Sequence, residues 1–326
     1  MLPVTTAGYS CSFIPCELIA ASGLRPRRLR PSLPPGQSAG TTAGLCLYVE
    51  AFLAAAGEAD AVILSTLCDQ MRSGGDLLPG ASAKPFFLLN LPATWQGRPA
   101  RELYLSELRR LGRFLESLGG LALNDARLAE VMLDFDERRR RLRQCHGLVP
   151  ARVFSRAVQE FPFHDLPAPG APSDGVPLGL VGGELIEEDM AILDAIESAG
   201  GRIALDATDG GLRGLPRPFD PVAMADDPLA ELASAYFDTI PHAFRRPNVA
   251  IHEYLARAIG EFGLRGLIFR RYPWCDLWNA QVWPWRHSLN VPVLDLDMGG
   301  QTGAMARTRG RIEAFMEMLC HPSRLA

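Results

Sequence analysis

The chain has 326 residues, enough for two domains of ordinary size, and 48% of them are hydrophobic, so the supply of core residues is not limiting. Its formal net charge of -4 at pH 7 gives no overall attraction to nucleic acid or to an anionic membrane surface, and neither is an expected partner. Because no apolar run reaches the roughly 18–20 residues that cross a bilayer and the N-terminus lacks the residue order of a signal peptide, we expect a cytoplasmic protein.

Short strand-like runs alternate with helical patterns along the first half of the chain. Strands are predicted at 3–8, 61–66 and 85–91, and helices at 44–56, 103–118 and 125–144. The segment PFHDLPAPGAPSDG, 162–175, contains too many prolines and glycines for either element. It is interpreted as a linker between two domains.

The alternation of strands and helices starts again after this linker. Strands are predicted at 176–181, 202–205, 264–269 and 291–296, and helices at 187–199, 228–239, 249–262 and 308–319. The pattern is typical of an α/β protein with two Rossmann-like domains, 1–161 and 176–326, each a parallel sheet with flanking helices. Ligands bind beyond the carboxyl ends of such strands, so we expect a site in the cleft between the domains.

Nucleotide-binding motifs are absent from the sequence. The only lysine is Lys84, so there is no GxxxxGK[ST] loop, and any ATP that the system uses binds another chain. The stretch GLVGGELIEED, 179–189, follows a predicted strand and opens a helix, but its glycines do not form GxGxxG. It is interpreted as a tight turn from strand to helix.

Three of the seven cysteines fall where strands end or helices begin. Cys68 and Cys275 follow predicted strands, and Cys46 lies in the first turn of a predicted helix, where unpaired N–H groups favour a thiolate. A single cysteine is usually a small buried apolar side chain, but together the three could hold a metal or a cluster at the cleft. The absence of close CxxC pairs favours an iron–sulfur cluster over zinc.

At these residues the sequence resembles the 2-hydroxyacyl-CoA dehydratase and benzoyl-CoA reductase subunit family, nearly from end to end. The blocks that carry the resemblance, in their order along the chain, are GYSCSFIPCELIAASGLRPRRL, AVILSTLCD, DDPLAELASAYF, LRGLIFRRYPWCD, VPVLDLD and RTRGRIEAFMEML. Each block alone is modest evidence, and their collinear order is what makes the resemblance strong.

The resemblance implies a subunit that binds one [4Fe–4S] cluster through Cys46, Cys68 and Cys275. It implies an oxygen-sensitive enzyme of anaerobic metabolism that acts on a CoA thioester, either a lyase (2-hydroxyacyl-CoA dehydratase) or an acyl-CoA reductase. A separate ATP-hydrolysing iron–sulfur activator would supply low-potential electrons. The expected partner is a related second subunit in a heterodimer, or a second copy of this chain in a homodimer.

Two departures from the family pattern concern the C-terminal half. The stretch ALDATDGGLRG, 204–214, replaces a turn that usually carries paired aspartates and a cysteine, and His242 stands where a cysteine often appears. An alternative function is therefore a non-catalytic electron relay or a double-cubane-type cluster protein of the same fold. A metal-free binding protein is the third alternative, and it would contain no iron.

Several other residues are candidates for the site. Glu17 is the candidate catalytic acid or base, although a carboxylate near a helix N-terminus is also stabilised by the helix dipole. Asp295 and Asp297 alternate along one strand, so only one of them is expected to face a site. The remaining candidates are Cys11 and Cys16, as additional ligands of a larger cluster, and Trp274 and Trp278, as side chains that exclude water from the cluster.

Overall fold

The computed structural model describes residues 5–33, 44–163, 168–171, 174–298 and 304–321. The first half contains β1 (Thr6–Tyr9), α1 (Cys16–Ala21), β2 (Arg25–Arg28), α2 (Leu47–Ala55), β3 (Ala61–Ser65), α3 (Asp69–Ala81), β4 (Phe86–Leu89), α4 (Arg98–Ser117), α5 (Asp125–Cys145) and α6 (Ala151–Gln159). The second half contains β5 (Val176–Gly182), α7 (Met190–Ser198), β6 (Gly201–Ala207), α8 (Pro221–Asp226), α9 (Pro228–Phe237), α10 (Val249–Glu261), β7 (Gly266–Arg271), α11 (Asp276–Asn279), α12 (Val282–Ser288), β8 (Val293–Asp297) and α13 (Ala304–Cys320).

The strands form two separate four-stranded sheets, and every strand pair in them is parallel. The strand orders are β2-β1-β3-β4 and β6-β5-β7-β8, so both halves are wound in the same way. This arrangement confirms the predicted α/β class with two parallel sheets and flanking helices. In each sheet the order reverses beside the first strand, which is the position where such folds bind ligands.

Strand β3 shows why the first sheet is covered on both faces. All five of its residues are buried, and the run Val62-Ile63-Leu64 alternates between two hydrophobic clusters. Ile63 packs with α1, α4 and α5, whereas Val62 and Leu64 pack with α2 and α3. Since both faces are apolar, the strand reads as a continuous hydrophobic run instead of an alternating one.

Helix α4 confirms the helix predicted at 103–118. Leu108, Leu111 and Leu115 are fully buried on one face of the helix.

Side chains define the first turns of two neighbouring helices. The side-chain oxygen of Asn124 accepts the N–H of Arg127 at the start of α5, and Asp227 accepts the N–H of Ala230 at the start of α9.

The core of the first sheet includes residues from the second half of the chain. Leu229, Leu232 and Phe237 of α9 pack in the same cluster as the leucines of α4, and α9 also contacts α5. Packing therefore crosses the predicted boundary at 162–175, and the division into 1–161 and 176–326 stays a prediction. The described residues of the predicted linker form no helix or strand. Among the described residues, no helix is long and apolar enough to cross a membrane.

Candidate functional site

A cavity lies at the carboxyl ends of the strands of both sheets. Its wall is formed by residues that follow β1, β3, β5, β6 and β7, together with the start of α2. The cavity volume is about 50 Å³, so a larger ligand would extend into the open mouth. Because both halves contribute to the wall, the cavity exists only when the two sheets are held together.

The three predicted ligands, Cys46, Cys68 and Cys275, all line this cavity. Each is the residue immediately before a helix: Cys46 precedes α2, Cys68 precedes α3 and Cys275 precedes α11. The first-turn N–H groups of these helices are free to donate to sulfur. The N–H of Met71 donates to Cys68 Sγ at 3.4 Å. The backbone N–H groups of Val49 and Trp278 lower the pKa of Cys46 and Cys275, but the structure assigns them no hydrogen bond to these sulfurs.

The three thiols interact electrostatically with one another. Burial raises the pKa of each to about 12. Cys68 further raises the pKa of Cys46, Cys275 raises that of Cys68, and Cys46 raises that of Cys275, while the first-turn N–H groups oppose these shifts. Three thiolates that interact in this way repel one another, so a bound positively charged group would favour the loss of all three protons.

The arrangement does not suit a single metal ion. Among the described residues, no three His, Cys, Asp or Glu side chains are grouped closely enough to hold one. A tetrahedral ion with bonds of about 2.3 Å draws its sulfur ligands to within about 4 Å of each other, whereas a cubane binds each cysteine through a different iron and separates the sulfurs further. The cluster predicted at these three thiols stays a prediction.

The other two candidate cysteines are in different places. Cys11 lines the same cavity, with its Sγ 3.0 Å from the Oγ of Ser65. Cys16 lies outside the cavity, 3.6 Å from a carboxylate oxygen of Glu17. Of the two, only Cys11 is positioned to extend the set of sulfur ligands at this site.

Glu17 does not line the cavity. Its side chain is fully buried, its carboxylate is paired with Arg139 of α5, and it accepts a hydrogen bond of 2.8 Å from the Tyr236 hydroxyl of α9. The three side chains join α1, α5 and α9 across the core of the first sheet. Its predicted catalytic role remains a prediction, and the contacts of the described residues give Glu17 a structural one.

His242 lines the cavity, but both of its ring nitrogens are already bonded. Its Nδ1 accepts the N–H of Phe244 at 3.1 Å, and its Nε2 lies 3.1 Å from Oδ2 of Asp209, which also pairs with Arg213. Burial lowers the pKa of His242. At Asp209 burial raises the pKa, but His242 and Arg213 lower it by more, so the carboxylate stays ionised. His242 therefore has no nitrogen free for a metal.

Glu184 is a cavity residue that the sequence analysis did not identify. It follows β5 in the Gly-Gly-Glu turn, and its Oε1 accepts a hydrogen bond of 2.6 Å from Arg28. Burial raises the pKa of Glu184 to about 7, although Arg28 opposes the shift. The signal in the sequence was Gly183, where a Cβ would lie 2.7 Å from Nε1 of Trp278, so only glycine lets this ring pack against the turn.

Of the remaining candidates, some line the cavity and others lie outside it. Trp278 is buried and lines the cavity, whereas Trp274 is 61% exposed and does not. Asp295 and Asp297 both lie outside the cavity wall and pair with Arg271, at 2.8 and 3.3 Å. Of these residues, Trp278 alone is positioned to exclude water from the site.

Comparison with known proteins identifies the family. Residues 11–319 match the family described as "2-hydroxyglutaryl-CoA dehydratase, D-component". The chain belongs to this family. The resemblance predicted from the sequence is thereby confirmed, and the match includes the three predicted cysteine ligands. As its description states, the family is a component of a dehydratase, so the chain is one component of an enzyme that has others.

Comparisons beyond the family add nothing to this assignment. No curated protein matches the chain. Among solved structures, ZnuA is 12% identical with a TM-score of 0.28, and the match covers 97% of this chain and 99% of that one. The SBP FpvC from Pseudomonas aeruginosa in complex with Mn2+ is 10% identical with a TM-score of 0.26, and the match covers 98% of this chain and 100% of that one. The laminin binding protein Lmb of Streptococcus agalactiae is 10% identical with a TM-score of 0.22, and the match covers 97% of this chain and 99% of that one. Such scores support no inference about function.

Proposed function

We propose that the chain is the iron–sulfur subunit of a 2-hydroxyacyl-CoA dehydratase, with one [4Fe–4S] cluster bound by Cys46, Cys68 and Cys275. The observation that carries the proposal is that these three thiols, from both halves of the chain, line one cavity in a member of the dehydratase family. When bound, such a cluster supplies single electrons and one iron without a protein ligand, which acts as a Lewis acid.

The residues of the chain provide what such a cluster needs. Each of the three sulfurs belongs to the residue before a helix, where first-turn N–H groups favour negative charge, and Cys68 accepts one such N–H. Trp278, Met71 and Leu67 supply apolar wall that limits contact with water. Hydrogen bonds to sulfur and exclusion of solvent are two of the means by which a protein tunes the potential of a cluster.

The electrons are proposed to come from another protein. The sequence contains no phosphate-binding loop, which agrees with an ATP-hydrolysing activator that delivers low-potential electrons to this chain. A related second subunit would complete the enzyme, consistent with the family's description as one component of a dehydratase. The proposed substrate is a 2-hydroxyacyl-CoA thioester, and the proposed products are the 2-enoyl-CoA and water.

A turnover assay tests this function. The anaerobically purified protein, its partner subunit, the activator and ATP are mixed with 2-hydroxyacyl-CoA thioesters and, separately, with aromatic acyl-CoA thioesters, and the products are identified by mass spectrometry. We expect ATP-dependent formation of enoyl-CoA that Cys275→Ser abolishes and that Cys320→Ser, at an exposed position, leaves unchanged. Reduction of the aromatic ring without dehydration would identify a reductase, and turnover of neither class would refute the proposal.

One observation favours a second candidate function, a non-catalytic relay with a larger cluster. Cys11 adds a fourth thiol to the cavity wall, and the three dehydratase-type ligands do not need it. A relay of the double-cubane type would contain about eight irons per chain instead of about four, and it would transfer electrons without converting any thioester. Iron content and the turnover assay together separate the two functions.

A further inference from the structure

Among the described residues, two that line the cavity carry a carboxyl group, Glu184 and Asp209. Only that of Glu184 is free to act on a bound molecule. Asp209 is 2% exposed and held from two sides by His242 and Arg213. The side chain of Glu184 keeps 11% of its surface exposed, and one of its oxygens, Oε1, is fixed by Arg28. Glu184 is therefore the carboxyl group through which this wall can exchange a proton with a ligand.

A second feature of the wall also points to a ligand with oxygen atoms. Ser10 is 1% exposed and lines the cavity, but its hydroxyl has no hydrogen-bond partner among the described residues. Its carbonyl oxygen, in contrast, is satisfied by the Tyr48 hydroxyl at 2.9 Å. An unpaired buried hydroxyl is costly, and an oxygen atom of a bound molecule would remove that cost.

We propose that Glu184 gives a proton to the leaving hydroxyl oxygen of a 2-hydroxyacyl thioester bound in this cavity, and that Arg28 holds the carboxyl in the orientation for that transfer. This inference rests on the proposed function. The O–H bond of Glu184 and the bond from Cα to oxygen break, and water leaves. As the double bond forms, the Glu184 carboxylate takes up the proton that leaves Cβ, so Glu184 is protonated again at the end. One electron from the proposed activator is added to the thioester before the hydroxyl leaves. The thioester gives it up again after the Cβ proton has gone, so there is no net reduction.

The charges around Glu184 suit this role. Arg28 on β2 stabilises its carboxylate, Asp209 after β6 destabilises it, and the more distant Arg213 stabilises it. Tyr48 on α2 and Cys11 after β1 also face it, but burial raises the pKa of both, to about 12 for Cys11, so neither titrates near neutral pH. Burial raises the pKa of Glu184 itself to about 7, and an acid catalyst works best near the ambient pH.

The test compares Glu184→Gln and Glu184→Asp with Glu188→Gln, an exposed carboxylate four residues further along whose oxygen accepts the N–H of Leu33. In the reconstituted anaerobic complex we expect Glu184→Gln to lower kcat at least about 100-fold, with KM and iron content unchanged. Glu184→Asp should retain part of the rate, and Glu188→Gln should match the wild type. The wild-type kcat should fall as the pH rises above about 7, where Glu184 loses its proton.

A measurement that needs neither substrate nor turnover accompanies this assay. Infrared difference spectra of the purified protein should show a protonated carboxyl band that titrates near pH 7 in the wild type and in Glu188→Gln, and that is missing from Glu184→Gln. Wild-type turnover by Glu184→Gln, or no such band, would overturn the inference and leave the proposed function intact. An iron-loaded wild type that converts no thioester would instead overturn the proposed function, and this inference with it.

Discussion

Glu17 and Glu184 are carboxylates that each follow the first strand of a sheet, but only Glu184 faces the cavity. The sequence predicted a site role for Glu17 because the residues after a first parallel strand usually face the ligand. Between Ser10 and Cys16 the chain turns away from the cavity, and Glu17 meets Arg139 and Tyr236 instead. These partners lie more than one hundred residues further along the chain, so local sequence did not reveal them.

The burial of this ion pair predicts a stability effect. Glu17→Gln leaves the Arg139 guanidinium buried without a counter-charge, which we expect to lower the free energy of unfolding by roughly 3–5 kcal/mol. Urea denaturation measures the loss. Glu137→Gln is the matched control, because Glu137 pairs with Arg140 and Arg141 on the exposed face of the same helix and should leave stability unchanged. A Glu17→Gln protein with wild-type stability but no turnover would favour the catalytic role.

At the level of elements, the apolar strands and most of the longer periodic helices were predicted. The elements that were not predicted are α1, β2, α3, α6, α8, α11 and α12, and β2 and α3 show why. Strand β2, with sequence RPRR, alternates exposed and buried residues at the edge of the sheet, where proline is tolerated and no apolar run marks the strand. Helix α3 contains Gly74, Gly75, Pro79 and Gly80, which are poor helix formers. It is helical because its buried face packs against α2, a tertiary contact that overrides propensity.

The contact between α2 and α3 predicts opposite effects for two glycines on one helix. A Cβ at Gly74 would lie 2.9 Å from Cγ1 of Val49, which is itself buried, whereas a Cβ at Gly80 would meet nothing within 4 Å. We expect Gly74→Ala to destabilise the protein by about 1–3 kcal/mol through overpacking, and Gly80→Ala to be neutral or stabilising by up to about 1 kcal/mol.

Thermal denaturation, with iron content as a second readout, checks these two variants. Cys46 and Cys68 are the residues before α2 and α3, so a shift between the helices should also lower the iron content of Gly74→Ala. Equal stability and equal iron content in the two variants would contradict this picture of the helix contact.

At the level of the whole molecule, the number and type of the two sheets followed from the alternation of strands and helices, but the packing between the halves did not. Helix α9 was predicted from its own sequence, yet nothing local indicated that it covers α4 and α5 of the first half. Similarly, the three cysteines were predicted at element ends, whereas their presence in one cavity depends on how the two sheets are joined. Long-range packing of this kind is not encoded in any single segment.

This packing predicts that the first half does not fold alone. A fragment of residues 1–161 lacks α9, so Leu108, Leu111 and Tyr104 of α4 would lose part of the apolar surface that covers them. We expect the fragment to bind a hydrophobic dye and to unfold without a cooperative transition, unlike the full chain. Cooperative unfolding of the fragment would show that 1–161 is an independent domain.

Iron and acid-labile sulfide per chain, measured after anaerobic purification, decide most directly whether the three cysteines hold a cluster. The wild type and Cys320→Ser, whose cysteine is exposed and is not a proposed ligand, should each contain about four irons and four sulfides. Cys46→Ser, Cys68→Ser and Cys275→Ser should each contain much less. A wild-type protein without iron, or full iron content in any of these three variants, would contradict the assignment.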